Sequence, residues 1–134
     1  MSGKERKEIK YLFLVSAVLL LDQITKLYFI RYFSPGESLP IIKNFLHFTL
    51  VFNKGGAFGI FKNQTLLFIL ISALAVCFII LNLRYRDTAD RYALILILSG
   101  ALGNLIDRLR FGYVIDFIDI RVWPVFNVAD TAIT

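Results

Sequence analysis

Residues 64–83 read "QTLLFILISALAVCFIILNL", and none of them carries a charge. A helix needs roughly 20 apolar residues to cross the hydrocarbon of a bilayer, where its backbone must satisfy its own hydrogen bonds. The stretch therefore predicts a membrane-spanning helix, and it sets how the flanking sequence is read. Composition agrees: of 134 residues, 57% are hydrophobic and only 19% charged, with a mean hydropathy of +0.68. A water-soluble domain of ordinary composition carries about a quarter charged residues. One membrane-embedded unit over residues 1–134 is expected, with no room for a second domain.

Towards the N-terminus, "YLFLVSAVLLLDQITKLYFI" (11–30) predicts a first span behind the polar, basic "MSGKERKEIK". That order also suits a cleavable leader, but no small-x-small cleavage site follows, so the helix is expected to be retained. The connection 31–63 contains Pro35, Gly36 and Pro40, the partly alternating "FLHFTLVFN", and "KGGAFG" with its turn chemistry. A short strand or hairpin at the membrane surface is predicted there. Towards the C-terminus, "RYRDTADR" is a polar turn and residues 91–108 form a third span. Within that span Ser99 and Gly103 stand four apart, a spacing that permits close helix contact. An outer segment covers 109–126, and 127–134 reads as the first turns of a fourth helix that is cut short. The expected fold is an all-α integral membrane protein of four-transmembrane-helix architecture, with a small extracytoplasmic β element.

Lys4, Arg6, Lys7 and Lys10 precede the first span, and Arg84, Arg86 and Arg91 lie in the turn 84–91; the longer 31–63 segment spreads its four basic residues thinly. The positive-inside rule then places the N-terminus and the 84–91 turn in the cytoplasm, and segments 31–63 and 109–126 outside. The net charge of +5 is explained by these flanks, so no nucleic-acid partner is expected. Cys77 is the single cysteine and lies in mid-span, so neither a disulfide nor a thiolate metal site is available. His47 is the single histidine, which leaves a His-rich metal site or a Ser–His–Asp triad without support. A Ser99–Lys26 pair is conceivable, but nothing marks Ser99 as a nucleophile. No glycine-rich phosphate loop is present, and neither metal nor cofactor is expected.

The remaining chemistry is carboxylate. Asp22 and Lys26 lie four apart on one helix face, within reach of each other; intramembrane charges usually pair and face the protein interior. Asn104, Asp107 and Arg108 stand at the outer end of the third span, where Arg108 can snorkel to headgroups or clamp a carboxylate. The stretch "GYVIDFIDIRVWPVFNVADT" (112–131) adds Asp116, Asp119 and Asp130. As a strand, "VIDFID" turns Asp116 and Asp119 to opposite sides; as a helical turn, it puts them together. Asn127 and Asp130 lie three apart on one face of a starting helix, where an acid also complements the helix dipole. Two carboxyls brought close cannot both ionise easily, which supplies an acid and a base for activating water without a metal. The same physics suits a proton relay through Asp22, Asp107 and Asp116 in a transporter.

Five motifs in order, "DQITK", "FNKGGAFG", "GALGNLIDR", "GYVIDFID" and "WPVFNVAD", fall between the right spans, and with them the chain resembles the lipoprotein signal peptidases, the type II signal peptidases of bacteria. The resemblance implies a multi-pass aspartic peptidase of the bacterial cytoplasmic (inner) membrane, with its active site at the outer face. Its substrate would be a diacylglyceryl-modified prolipoprotein cut just before the lipidated cysteine, with membrane lipids as its other partners; a monomer is expected. Carried over by position, the resemblance makes Asp116 and Asp130 catalytic. It makes Asn53, Gly56, Asn104, Asp107, Arg108, Asn127, Asp22 and Lys26 supporting or substrate-binding, and leaves Asp119 a surface or supporting acid. The 31–63 segment becomes a β-rich cradle.

Overall fold

The structure is a computed structural model that describes residues 2–55, 64–85 and 87–134. Among the described residues, three helices are long and apolar enough to cross a membrane: α1 (Gly3–Tyr32), α2 (Thr65–Asn82) and α3 (Thr88–Phe111). α1 starts well before the apolar run because Ser2 and Glu5 form a reciprocal capping box, with 3.2 and 2.6 Å hydrogen bonds, ahead of good helix formers. α3 begins at the Asp87 cap and ends at Gly112, whose φ of +78° is the left-handed conformation glycine adopts freely. The Thr65 hydroxyl donates to the Gly112 carbonyl at 2.9 Å, tying the start of α2 to the end of α3. Leu12, Phe13, Leu66, Leu74, Phe78 and Leu81 are exposed along α1 and α2. Contiguous outward apolar surface of this kind belongs against lipid, and the chain is a multi-pass membrane protein.

Between α1 and α2, β1 (Ser38–Ile42) and β2 (Leu46–Asn53) form an antiparallel hairpin whose turn uses Asn44 at φ +62°. β3 (Val114–Asp119) pairs antiparallel with β2, giving the order β1-β2-β3. "VIDFID" is thus extended. The strand sends Phe117 into a cluster with Phe29, Leu50 and Ile115, and the Phe117 ring stacks on Phe29 at 4.2 Å. This aromatic contact seats the sheet on the outer end of α1. A second cluster, Val76 and Ile79 of α2 with Leu98 of α3, holds those two helices together. α4 (Val128–Ile133) is capped by Asn127 and packs on α3 and α1.

Close packing of α4 depends on glycine. A Cβ at Gly100 would run into the Ala129 carbonyl and Ile133, and one at Gly103 would meet an Asp22 oxygen and the Ala129 methyl. Of the pair read from spacing, Ser99 is fully buried with its hydroxyl turned back onto the Ile95 carbonyl at 2.6 Å and Gly103 meets α1 and α4, while Gly100 makes the tightest approach of the described glycines. Gly100→Ala is expected to cost about 1–3 kcal/mol through overpacking. The check is the melting midpoint in detergent; an unshifted midpoint would show that α4 yields without cost.

Candidate active site

Lys26 sits at the centre of the buried polar structure, 1% exposed in the middle of an apolar bundle. An ammonium is tolerable there only if its charge and its protons are met. Its Nζ lies 2.8 Å from an oxygen of Asp22, one helical turn earlier, and 2.8 Å from Asp107 of α3. It also donates to the Asn104 side-chain oxygen at 3.1 Å. The two carboxylates reach further. Asp22 accepts the backbone N–H of Ala129 at 2.9 Å, and Asp107 accepts that of Ile115 at 3.2 Å. Each therefore holds the backbone of the residue just before one of the two acids of interest, Asp130 and Asp116. Gln23 completes the network, donating to Asp107 at 3.0 Å and to Asp22 at 3.1 Å.

Asp116, on β3, and Asp130, in the first turn of α4, face one cavity of about 160 Å³ that is also lined by Asn53, Asn104, Arg108 and the 123–126 loop. Three amides fix them. Asn127 Nδ2 donates to Asp116 at 2.7 Å, and Asn53 Nδ2 reaches the other Asp116 oxygen at 3.0 Å. Asn104 Nδ2 donates to Asp130 at 2.7 Å. Asn127 also donates to the Asn104 oxygen at 3.1 Å, so both acids hang from one connected amide chain. Asn127 and Asp130 cap each other reciprocally, 2.8 Å in one direction and 3.2 Å in the other, which starts α4 and aims Asp130 in the same stroke.

Burial pushes the Asp116 carboxyl up to about 7, and the neighbouring Asp130 carboxylate adds to the effect. The Asn53 and Asn127 amides act in the opposite direction by favouring the ionised form. Burial also raises Asp130, and two carboxyls whose protons are held in this way have the chemistry of an acid and a base. Arg108 lines the cavity, donating to the Asn104 carbonyl at 3.4 Å, with its guanidinium over the Phe68 ring at 5.4 Å. The Ser–Lys alternative dissolves, because Ser99 bonds its own helix and Lys26 is bound by two carboxylates.

Among the residues singled out by sequence, Asp22, Lys26, Asn53, Asn104, Asp107, Arg108, Asp116, Asn127 and Asp130 meet in one contiguous network around this cavity. Gly56, and with it most of "KGGAFG", lies outside the described residues. Of the two readings of Asp119, surface or supporting acid, its 6% exposure fits the second. It accepts the Thr49 hydroxyl at 2.8 Å and the Arg121 backbone N–H at 2.9 Å, away from the cavity. Burial raises its pKa, but those hydrogen bonds, together with the Arg121 and His47 charges, hold it below the usual carboxylate value. It pins the chain leaving β3 to β2. Gln23 and Gly100 went unremarked in the sequence. The only signal for Gln23 was its place inside "DQITK"; for Gly100 it was a small residue beside Ser99.

The signal peptidase (SPase) II family profile matches residues 14–134. The lipoprotein signal peptidase of Moorella thermoacetica is 49% identical over 126 residues, covering 92% of this chain and 84% of that one. The lipoprotein signal peptidase of Halothermothrix orenii is 45% identical, covering 89% and 83%. Among solved structures, a bacterial membrane enzyme determined by the in meso method at 2.3 Å superposes with a TM-score of 0.87 at 30% identity, covering 92% of this chain and 80% of that one.

Proposed function

Because the chain belongs to the signal peptidase II family, whose work is the removal of signal peptides from prolipoproteins, we propose that it does so as an aspartic endopeptidase. One of Asp116 and Asp130 takes a proton from water, which attacks the scissile carbonyl, and the other protonates the departing amine. The observation that carries this reading is the convergence of the two carboxyls on one cavity, each held by a side-chain amide. Cleavage falls before a diacylglyceryl-modified cysteine whose lipid tails stay in the bilayer, while the peptide lies against the β1–β2 hairpin. The basic N-terminus and the 84–91 turn face the cytoplasm, so the site works at the outer face of the bacterial inner membrane. The outer segment 109–126 leads into α4 as the start of a fourth transmembrane helix, and the chain acts as a monomer. A gel-shift assay with a diacylglyceryl-modified prolipoprotein and its lipid-free precursor tests substrate choice: the modified form is cut and the precursor is not. Equal cleavage of both would remove the lipid from the recognition.

The proton on Asp116 makes the reaction pH-dependent. As pH rises through about 7 the Asp116 carboxyl gives up its proton and the acid is lost, so kcat/KM falls on the alkaline side. The sign for stability follows from the same shift. Folded Asp116 keeps a proton that the unfolded chain has released between pH 3.8 and about 7, so its contribution declines as pH rises through that window. The Asn53 amide favours the charged carboxylate, so Asn53→Ala is expected to move the alkaline limb to higher pH while lowering the rate about tenfold through lost positioning. A pH–rate profile decides; a limb that stays in place or moves down would disconnect Asp116 from the rate.

A further inference from the structure

At the end of the bundle opposite the carboxylate pair, α1 and α2 each pack on α3. A groove of about 450 Å³ lies there, walled by Leu12, Val15, Ile80, Leu83, Ile95 and Leu98. Its size is that of a small-molecule site, and its walls suit an alkyl chain. The polar end of the groove is built differently from the walls. Tyr11 lines it and is only 6% exposed, yet its buried hydroxyl has no hydrogen-bond partner among the described residues. A buried, unsatisfied phenol is costly, and native structures rarely keep one without a ligand or water to meet it. The Tyr11 ring is held edge-on against Tyr92 at 5.1 Å, and the Arg91 guanidinium lies over it at 5.7 Å. Arg91 lines the same groove. A rigid donor and a cation thus both border an apolar slot.

We propose that this groove binds one anionic glycerophospholipid of the leaflet that faces the basic flanks. An acyl chain lies along the α1–α2 walls, and the phosphodiester accepts the Tyr11 hydroxyl beside Arg91. Charge favours that occupant over a neutral one: residues 1–10 and 84–91 together carry seven basic and four acidic side chains. Glu8, which also lines the groove, is outweighed by them. Basic pockets between transmembrane helices on the cytoplasmic side are a recurrent way of holding anionic headgroups. The site shares no lining residue with the carboxylate cavity, so it stands independently of the peptidase reading.

The full chain, purified in mild detergent and mixed with phosphatidylglycerol or phosphatidylcholine, is followed by native mass spectrometry. One phosphatidylglycerol per chain is expected to be retained in preference to phosphatidylcholine. Tyr11→Phe keeps the ring on Tyr92 and removes only the hydroxyl; it and Arg91→Gln are each expected to weaken retention about tenfold. Leu98→Trp fills the slot and lowers retention with both headgroup contacts intact, whereas Asp116→Asn leaves it unchanged. Wild-type retention in both Tyr11→Phe and Leu98→Trp overturns the proposal, as does equal retention of the two lipids. A two-chain species that Leu98→Trp returns to one chain would give the groove to a second copy instead.

Discussion

Asn in place of Asp116, or of Asp130, is expected to lower single-turnover cleavage of a diacylglyceryl-modified prolipoprotein by about 10³-fold, within the range that positioned acids and bases contribute. Asn matches Asp in size but neither takes a proton from water nor gives one up. At Asp116 both oxygens already accept amide hydrogen bonds, from Asn127 and Asn53, so an introduced amide must turn an N–H towards one of them. At Asp130 the change also weakens the reciprocal cap that starts α4, a loss of about 1 kcal/mol. Neither effect unfolds a bundle held by α1, α2 and α3, so the melting midpoint should move little while the rate collapses. Near-normal cleavage by either variant would remove that residue from the chemistry.

The second large effect lies away from the cavity. Lys26→Met strips two buried carboxylates, Asp22 and Asp107, of their shared ammonium. Breaking a buried ion pair from one side costs about 3–5 kcal/mol, because the charge left behind is uncompensated. Activity is expected to fall as well, since those carboxylates hold the backbone N–H groups of Ala129 and Ile115, next to Asp130 and Asp116. Replacing all three residues together, Lys26→Met with Asp22→Asn and Asp107→Asn, should restore much of the stability, because no unpaired charge remains. Thermal melting in detergent separates the variants. A single Lys26→Met chain that melts like the parent would show that the two acids find protons or partners without Lys26.

The membrane spans were legible because the bilayer imposes one simple demand, a long apolar run, and residues 64–83 meet it without a single charge. The Asp22–Lys26 contact was legible because it is local, one helical turn apart. Asp107, the other carboxylate on that ammonium, lies 2.8 Å away in space but on another helix, and no periodicity reports such a distance. The state of "VIDFID" was undecidable locally: six residues rich in Ile and Phe suit either a strand or a buried turn. Pairing with β2 and the stack of Phe117 on Phe29 settle it as a strand, and only then do Asp116 and Asp119 separate into different surroundings. The burial of Asp119 escaped for the same reason, because its partners Thr49 and Arg121 come together through the sheet. Asn53 entered by resemblance alone; an Asn at the end of a strand carries no mark of its own.

Asn127 has one side chain and two duties. Its oxygen caps α4, and its nitrogen grips Asp116, Asn104 and the Ile115 carbonyl. The start of α4 and the placing of the strand-borne acid therefore depend on one side chain, and a change at Asn127 disturbs both at once. On the proposal that Asp116 and Asp130 work as a pair, helix cap and chemistry are thus one unit, joined through Asn127.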